Sequence, residues 1–150
     1  MKKYELTENT TMHFGKKLFQ IKALISFGDV KAGELGGWIE KEENLSHAGN
    51  AWVSGDARVY GNARVYGDAQ VYGNARVSGN ADYTTIKGFG TKFRTTTFFR
   101  CEDGNIRVVC GCFFGTIAEF RKQVEETRTG KIAKEYLMIA DLMEEHFKEE

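Results

Sequence analysis

The residues best suited to proton transfer, nucleophilic attack or soft-metal binding in this chain are three histidines, His13, His47 and His146, and three cysteines, Cys101, Cys110 and Cys112. The histidines lie in three separate segments, which does not suit a catalytic zinc site built from three imidazoles. Cys110 and Cys112 are expected on one face of a strand, with Cys101 across a hairpin. That spacing matches no common zinc module. The thiols therefore read as reduced cysteines packed beneath helices, and neither a metal set nor a catalytic set is assigned. A second kind of chemistry is anion binding. Gly111-Cys112-Phe113-Phe114-Gly115-Thr116 leads small residues into a helix start, where free backbone N–H groups favour an anion. Lys92, Arg94 and Arg100 supply positive charge, and Thr95, Thr96, Thr97 and Thr116 supply hydroxyls. Phe98 or Phe99 could stack on a base. This constellation points to a phosphate-bearing ligand such as a nucleotide, although no Walker or Rossmann signature accompanies it.

These residues follow a repeat that must position them. Residues 49–84 read GNAWVS GDARVY GNARVY GDAQVY GNARVS GNADYT, without an insertion. Within each hexad, Ala and Val alternate with outward residues as in a strand, and Gly-Asn or Gly-Asp supplies a corner. Three hexads per coil give roughly 18 residues per turn, the mark of a parallel β-helix. Val53, Val59, Val65, Val71 and Val77, ending with Tyr83, are the expected large inner positions. Ala51, Ala57, Ala63, Ala69, Ala75 and Ala81 are the small ones. Arg58 should stack on Arg76, with Arg64 on another face. Outward Trp52, Tyr60, Tyr66 and Tyr72, together with Arg58, Arg64 and Arg76, form a candidate surface for a second copy or a partner.

Upstream, Ile39 and Leu45 continue the inner series. The eight-residue step from Leu45 to Val53 predicts two extra residues at a corner near Ser46-His47. Phe19, Ile21, Ala23 and Ile25 define the apolar face of a small β element, with Leu18 and Leu24 on the other. Its expected task is to cap the open end of the coil. Downstream, residues 93–101 and 106–112 read as a hairpin around Asp103-Gly104. Between residues 86 and 109, five basic residues face two acidic ones. Thr116 and Glu119 have capping-box spacing for a first helix, which Gly130 ends. A second helix near 131–148 buries Ile132, Tyr136, Ile139, Met143 and Phe147. The expected organisation is an N-terminal β cap (1–30), a repeat coil (31–85) and a C-terminal hairpin with two helices (86–150). The class is mainly β.

The formal charge is zero, with 21 basic and 21 acidic residues, so no global field draws the chain to nucleic acid or membrane. Direct nucleic-acid contact stays open. No apolar run is long enough to span a bilayer, and the N-terminus lacks a signal-peptide core. The expected location is the bacterial cytoplasm.

The hexads resemble the left-handed β-helix of the bacterial hexapeptide-transferase class, and the left hand comes from that resemblance. Asp29-Val30-Lys31-Ala32-Gly33, then Gly36-Gly37-Trp38-Ile39-Glu40-Lys41-Glu42, lead into the repeats. Thr95-Thr96-Thr97-Phe98, Cys110-Gly111-Cys112-Phe113, Gly115-Thr116, Glu119-Phe120 and Glu135-Tyr136-Leu137 follow. Together these resemble a family of small phage and prophage hexapeptide-repeat, polymer-forming-like proteins. The family carries Ser-Arg where this chain has Thr91-Lys92, so a basic contact there would be a point charge rather than a fork. The resemblance implies phage origin and brings no established activity. The resulting expectation is a non-enzymatic accessory protein, without cofactor, that forms a dimer or trimer. It would neutralise a host factor, either a protein such as a defence nuclease or a nucleotide-type signal. Two alternatives stand beside it. One is an acyltransferase using His47 as general base, and the other is a structural assembly protein.

Overall fold

The computed structural model describes residues 2–148. Eleven strands and two helices are present among them: β1 (Tyr4–His13), β2 (Lys16–Ala23), β3 (Leu35–Ile39), β4 (Trp52–Val53), β5 (Arg58–Val59), β6 (Gln70–Val71), β7 (Arg76–Val77), β8 (Tyr83–Phe89), β9 (Arg94–Arg100), β10 (Ile106–Cys110), β11 (Phe113–Thr116), α1 (Ile117–Thr127) and α2 (Gly130–His146).

The hexads wind as a parallel solenoid with three faces. Ile39, Val59 and Val77 stack on the first face, Leu45 and Val65 on the second, Val53 and Val71 on the third. Arg58 lies over Arg76, as the repeat predicts. The Val at each inner position is fully buried, as are the alanines from Ala51 to Ala75. Each such Val contributes about 1.5 kcal/mol or more of hydrophobic burial. Ala81 departs from the series and is exposed, because Asn80–Asp82 forms a 3-10 turn that leads the chain out of the coil.

The extra pair of residues falls in the first turn. Pairings within the regular repeats join residues eighteen apart, whereas Ile39–Val59 and Leu45–Val65 join residues twenty apart. The surplus forms the corner at residues 46–50. There Lys3, itself buried, donates from Nζ to the carbonyls of Ala51 (2.6 Å) and Gly49 (3.4 Å). Burial pulls its ammonium down to about 8. Asn44, also buried, bridges two turns: its side chain donates to the Ala63 carbonyl (2.9 Å) and accepts from the Glu40 and Lys41 N–H groups.

The β1–β2 hairpin extends the first face through antiparallel pairing of β2 with β3. Tyr4, Ile21, Ala23, Val30 and Trp52 close that end of the bore. The face differs from simple alternation. Leu18 and Ile21 are both fully buried, and Ile25 is exposed. Register shifts between Leu6 and Thr10 and between Gln20 and Lys22 change the phase of the strand partway along, as β-bulges do.

At the other end, β8 to β11 form an antiparallel sheet in the order β11-β10-β9-β8. The predicted hairpin is its centre, and β8 and β11 extend it on either side. One side of β9 packs Phe98 against the helices; the other packs Phe99 into the solenoid core, which Cys101, just beyond the strand, also joins. Thr116 caps α1 with the predicted box. Gly130 starts α2 instead of ending α1, since the chain has already left the helix at Arg128. Tyr136, Ile139, Met143 and Phe147 are buried; Ile132 is half-buried. No helix among the described residues is long and apolar enough to cross a membrane.

Candidate functional site

A cleft of about 570 Å3 opens where three segments meet. The loop Gly28–Val30 forms one wall. Asn50, Asp68, Gln70 and Tyr72 of the third solenoid face form the floor. Lys87, Phe93, Arg94, Thr95 and Gly111 of the C-terminal sheet form the opposite wall. The sheet reaches this position because Thr97 Oγ1 accepts the Gln70 N–H (3.1 Å) and Ala75 bridges Cys101.

Phe93 ends the turn between β8 and β9 with φ of 51° and is 66% exposed. Arg94 starts β9. It pairs with no carboxylate among the described residues, and its guanidinium lies across Gly111, where a Cβ would overlap it. Lys87, in contrast, is held by Asp68 (3.2 Å). Tyr72 stacks on Phe114 with ring centroids 4.7 Å apart, and burial raises its phenol above the ordinary range.

The eight residues proposed from sequence as one anion site divide among four places. Arg94 and Thr95 line the cleft. Arg100 and Thr116 border a separate hollow beside Ile117 and Phe147. Arg100 there pairs with Asp82 (3.3 Å) and lies 5.9 Å over the Phe147 ring. Lys92 is exposed on the turn. Thr96, Thr97 and Phe98 are buried, so they cannot touch a ligand as expected. The Thr96 hydroxyl donates to Cys110 Sγ (3.3 Å), and Phe98 packs on Phe120. A strand between two packed layers buries both of its faces, which the threonine run alone does not reveal. The α1 N-terminus is also engaged by its own side chains: the Thr116 N–H donates to Glu119 (2.9 Å), and Thr116 Oγ1 accepts the Glu119 N–H (3.1 Å).

The candidate partner surface divides similarly. Tyr66 and Arg64 are exposed. Tyr60, Tyr72, Arg58 and Arg76 are half-buried. Trp52, expected to point outward, is buried against Phe27 and Tyr4, because the N-terminal cap folds over its face.

Each of the two histidines near the coil is packed. His47 stacks on Tyr4 (4.2 Å) and accepts the Lys3 N–H at Nδ1 (3.1 Å). His13 reaches from the hairpin to the first face. Its Nδ1 lies 3.0 Å from Arg58 Nη1, and its Nε2 lies 3.2 Å from the Tyr60 hydroxyl. Arginine only donates, so Nδ1 accepts and the ring is neutral, with its proton on Nε2. Burial and the Arg58 guanidinium both hold His13 below the usual imidazole range. Cys101 is buried, and burial pushes its thiol up to about 11; Cys110 is half-buried and Cys112 is exposed in a turn. The turn removes Cys112 from the strand face expected to carry it beside Cys110. No His, Cys, Asp or Glu cluster among the described residues is arranged to hold a metal.

Of the cleft residues, the sequence singled out Arg94 and Thr95, whereas Phe93 reads there only as the start of a strand. Asp29, Asn50 and Tyr72 reach the site only through the fold.

The parallel ladders and their eighteen-residue step define a β-solenoid repeat protein. The YdcK Beta solenoid repeat family matches residues 57–69 and 69–81. Over 61 residues the chain is 41% identical to a protein of Escherichia coli (strain K12) named "Uncharacterized acetyltransferase YdcK". That similarity covers 35% of this chain and 19% of the relative.

Proposed function

We propose that this chain is a non-catalytic accessory protein of phage origin that binds and neutralises a host factor in the bacterial cytoplasm. The observation that carries the binding part is the cleft at the junction of loop, solenoid and C-terminal sheet, whose rim holds an exposed phenylalanine and an arginine that pairs with no carboxylate among the described residues. The phage part rests on the sequence resemblance. In this reading the solenoid is left-handed and serves as a rigid platform. Exposed Tyr66 and Arg64 contribute to a dimer or trimer contact. Expression in a bacterium that carries a nuclease-based or nucleotide-signal defence tests the proposal. Plating of a phage blocked by that defence should be restored. Unchanged plating on hosts of both kinds overturns the reading.

The relative's name favours a second reading, acyl transfer from acetyl coenzyme A, with His47 as the base. It predicts acetyl coenzyme A binding and a product lost in His47→Ala. The ring's stacking on Tyr4 and its bond from the Lys3 N–H give His47 a structural task at the corner instead.

A further inference from the structure

We infer that the cleft binds a nucleoside phosphate, with the base on Phe93 and a phosphate oxygen on Arg94. This deepens the proposed binding function and names its ligand class.

Two independent features of the rim point to a ligand. The first is Phe93. A bulky side chain in the left-handed region is disfavoured, and a glycine or asparagine would serve that turn at lower conformational cost. Burial does not explain the aromatic residue, because Phe93 is 66% exposed. An exposed aromatic ring at the rim of a cleft lined by both polar and apolar side chains is a stacking platform that accepts the face of any base. The second is Arg94. Its guanidinium is half-buried, unpaired with a carboxylate among the described residues, and seated in a space that only glycine at position 111 leaves. A fork of N–H donors held in this way matches two oxygens of a phosphate.

The opposite wall suits the rest of such a molecule. Asp29 and Asn50 offer acceptors for sugar hydroxyls or an exocyclic amine. The Gln70 amide is already oriented, because its Nε2 donates to the Asn50 carbonyl (3.1 Å), leaving Oε1 to accept. Carboxylate on one side and guanidinium on the other distinguish a nucleotide from a bare anion: phosphate alone fills only the Arg94 end. The volume lies within the common range for small-molecule sites, about 300–1,000 Å3.

Isothermal titration of the intact chain tests this with adenosine and guanosine monophosphates, cyclic dinucleotides, adenosine, and inorganic phosphate. At least one nucleotide should bind, more tightly than adenosine or phosphate. Arg94→Gln should weaken it about tenfold or more. Phe93→Gly should weaken it about tenfold, while its melting temperature stays at or above that of the unaltered chain, because glycine relieves the backbone. That opposition separates a ligand role from a folding role. Gly111→Ala, which displaces the guanidinium, should act like Arg94→Gln. Absence of heat with every nucleotide overturns the inference, as does unchanged affinity in both Arg94→Gln and Phe93→Gly. Phage plating keeps the two claims apart. Rescue that persists in both variants leaves the neutralising function standing with a protein partner and removes the nucleotide site.

Discussion

At the scale of single residues, corners and contacts set the energetics more than charge does. Gly61 and Gly67 occupy equivalent corners with φ near 62° and 68°. A Cβ at 61 would lie 2.6 Å from the Ser78 carbonyl oxygen, whereas one at 67 meets nothing within 4 Å. Gly67→Ala should therefore lose only the left-handed penalty, about 1 kcal/mol. Gly61→Ala should lose more than that, because the next turn must shift; urea unfolding of the two variants checks the difference. His13 provides a pH dependence of known sign. Its folded value is depressed, so the unfolded chain holds more protons just below pH 6.5. The neutral ring's contribution is whole above that pH and is lost as the pH falls through the folded value. Arg58, Arg76, Glu102 and Tyr60 are the groups that bear on it. Melting temperature should drop between pH 7.5 and 5, and the drop should be smaller in His13→Gln.

Among elements, the solenoid turns are joined by more than their ladders. The Asn44 side chain accepts the Lys41 N–H (3.0 Å) and shares the Glu40 N–H with the Val59 carbonyl of β5 (3.1 Å). Asn44→Ala would leave the Lys41 N–H and the Ala63 carbonyl without their partner. A loss of about 2–3 kcal/mol is expected, read as a lower urea midpoint with an unchanged slope. The hexad pattern made the strands and corners legible, and the Thr116–Glu119 spacing made the start of α1 legible. Asn44 was not, because one asparagine in a degenerate repeat looks like any turn residue. The bulges in β1 and β2 were equally hidden: they move Leu18 into the interior without altering the pattern of apolar letters.

At the scale of the molecule, a solenoid with so few turns depends on its two caps. Phe99 belongs to the solenoid core, and its neighbour Phe98 belongs to the helical layer. One strand therefore couples both cores. Phe99→Ala should reduce stability by about 3–5 kcal/mol. Far-ultraviolet circular dichroism and tryptophan fluorescence should still report coincident transitions, since Trp52 lies in the core that Phe99 joins. Separate transitions would show that cap and coil unfold independently.

Local pattern along the chain suffices for the coil's inner Val row and its Ala row as far as Ala75, the two-residue surplus before Ala51, the central hairpin and the two helices. Each follows from local periodicity or turn chemistry, which neighbouring residues express without help from distant ones. Which side chains share a site depends on how the layers pack. Placing the sheet over the solenoid buried Thr97, the helices on the sheet's other face buried Thr96 and Phe98, and Arg100 went to a different hollow. The same placement brought Asp29, Asn50 and Tyr72 to face Phe93 and Arg94. The reason is geometric: alternation assigns a residue to one side of its strand, but the layer packed on that side comes from elsewhere in the chain.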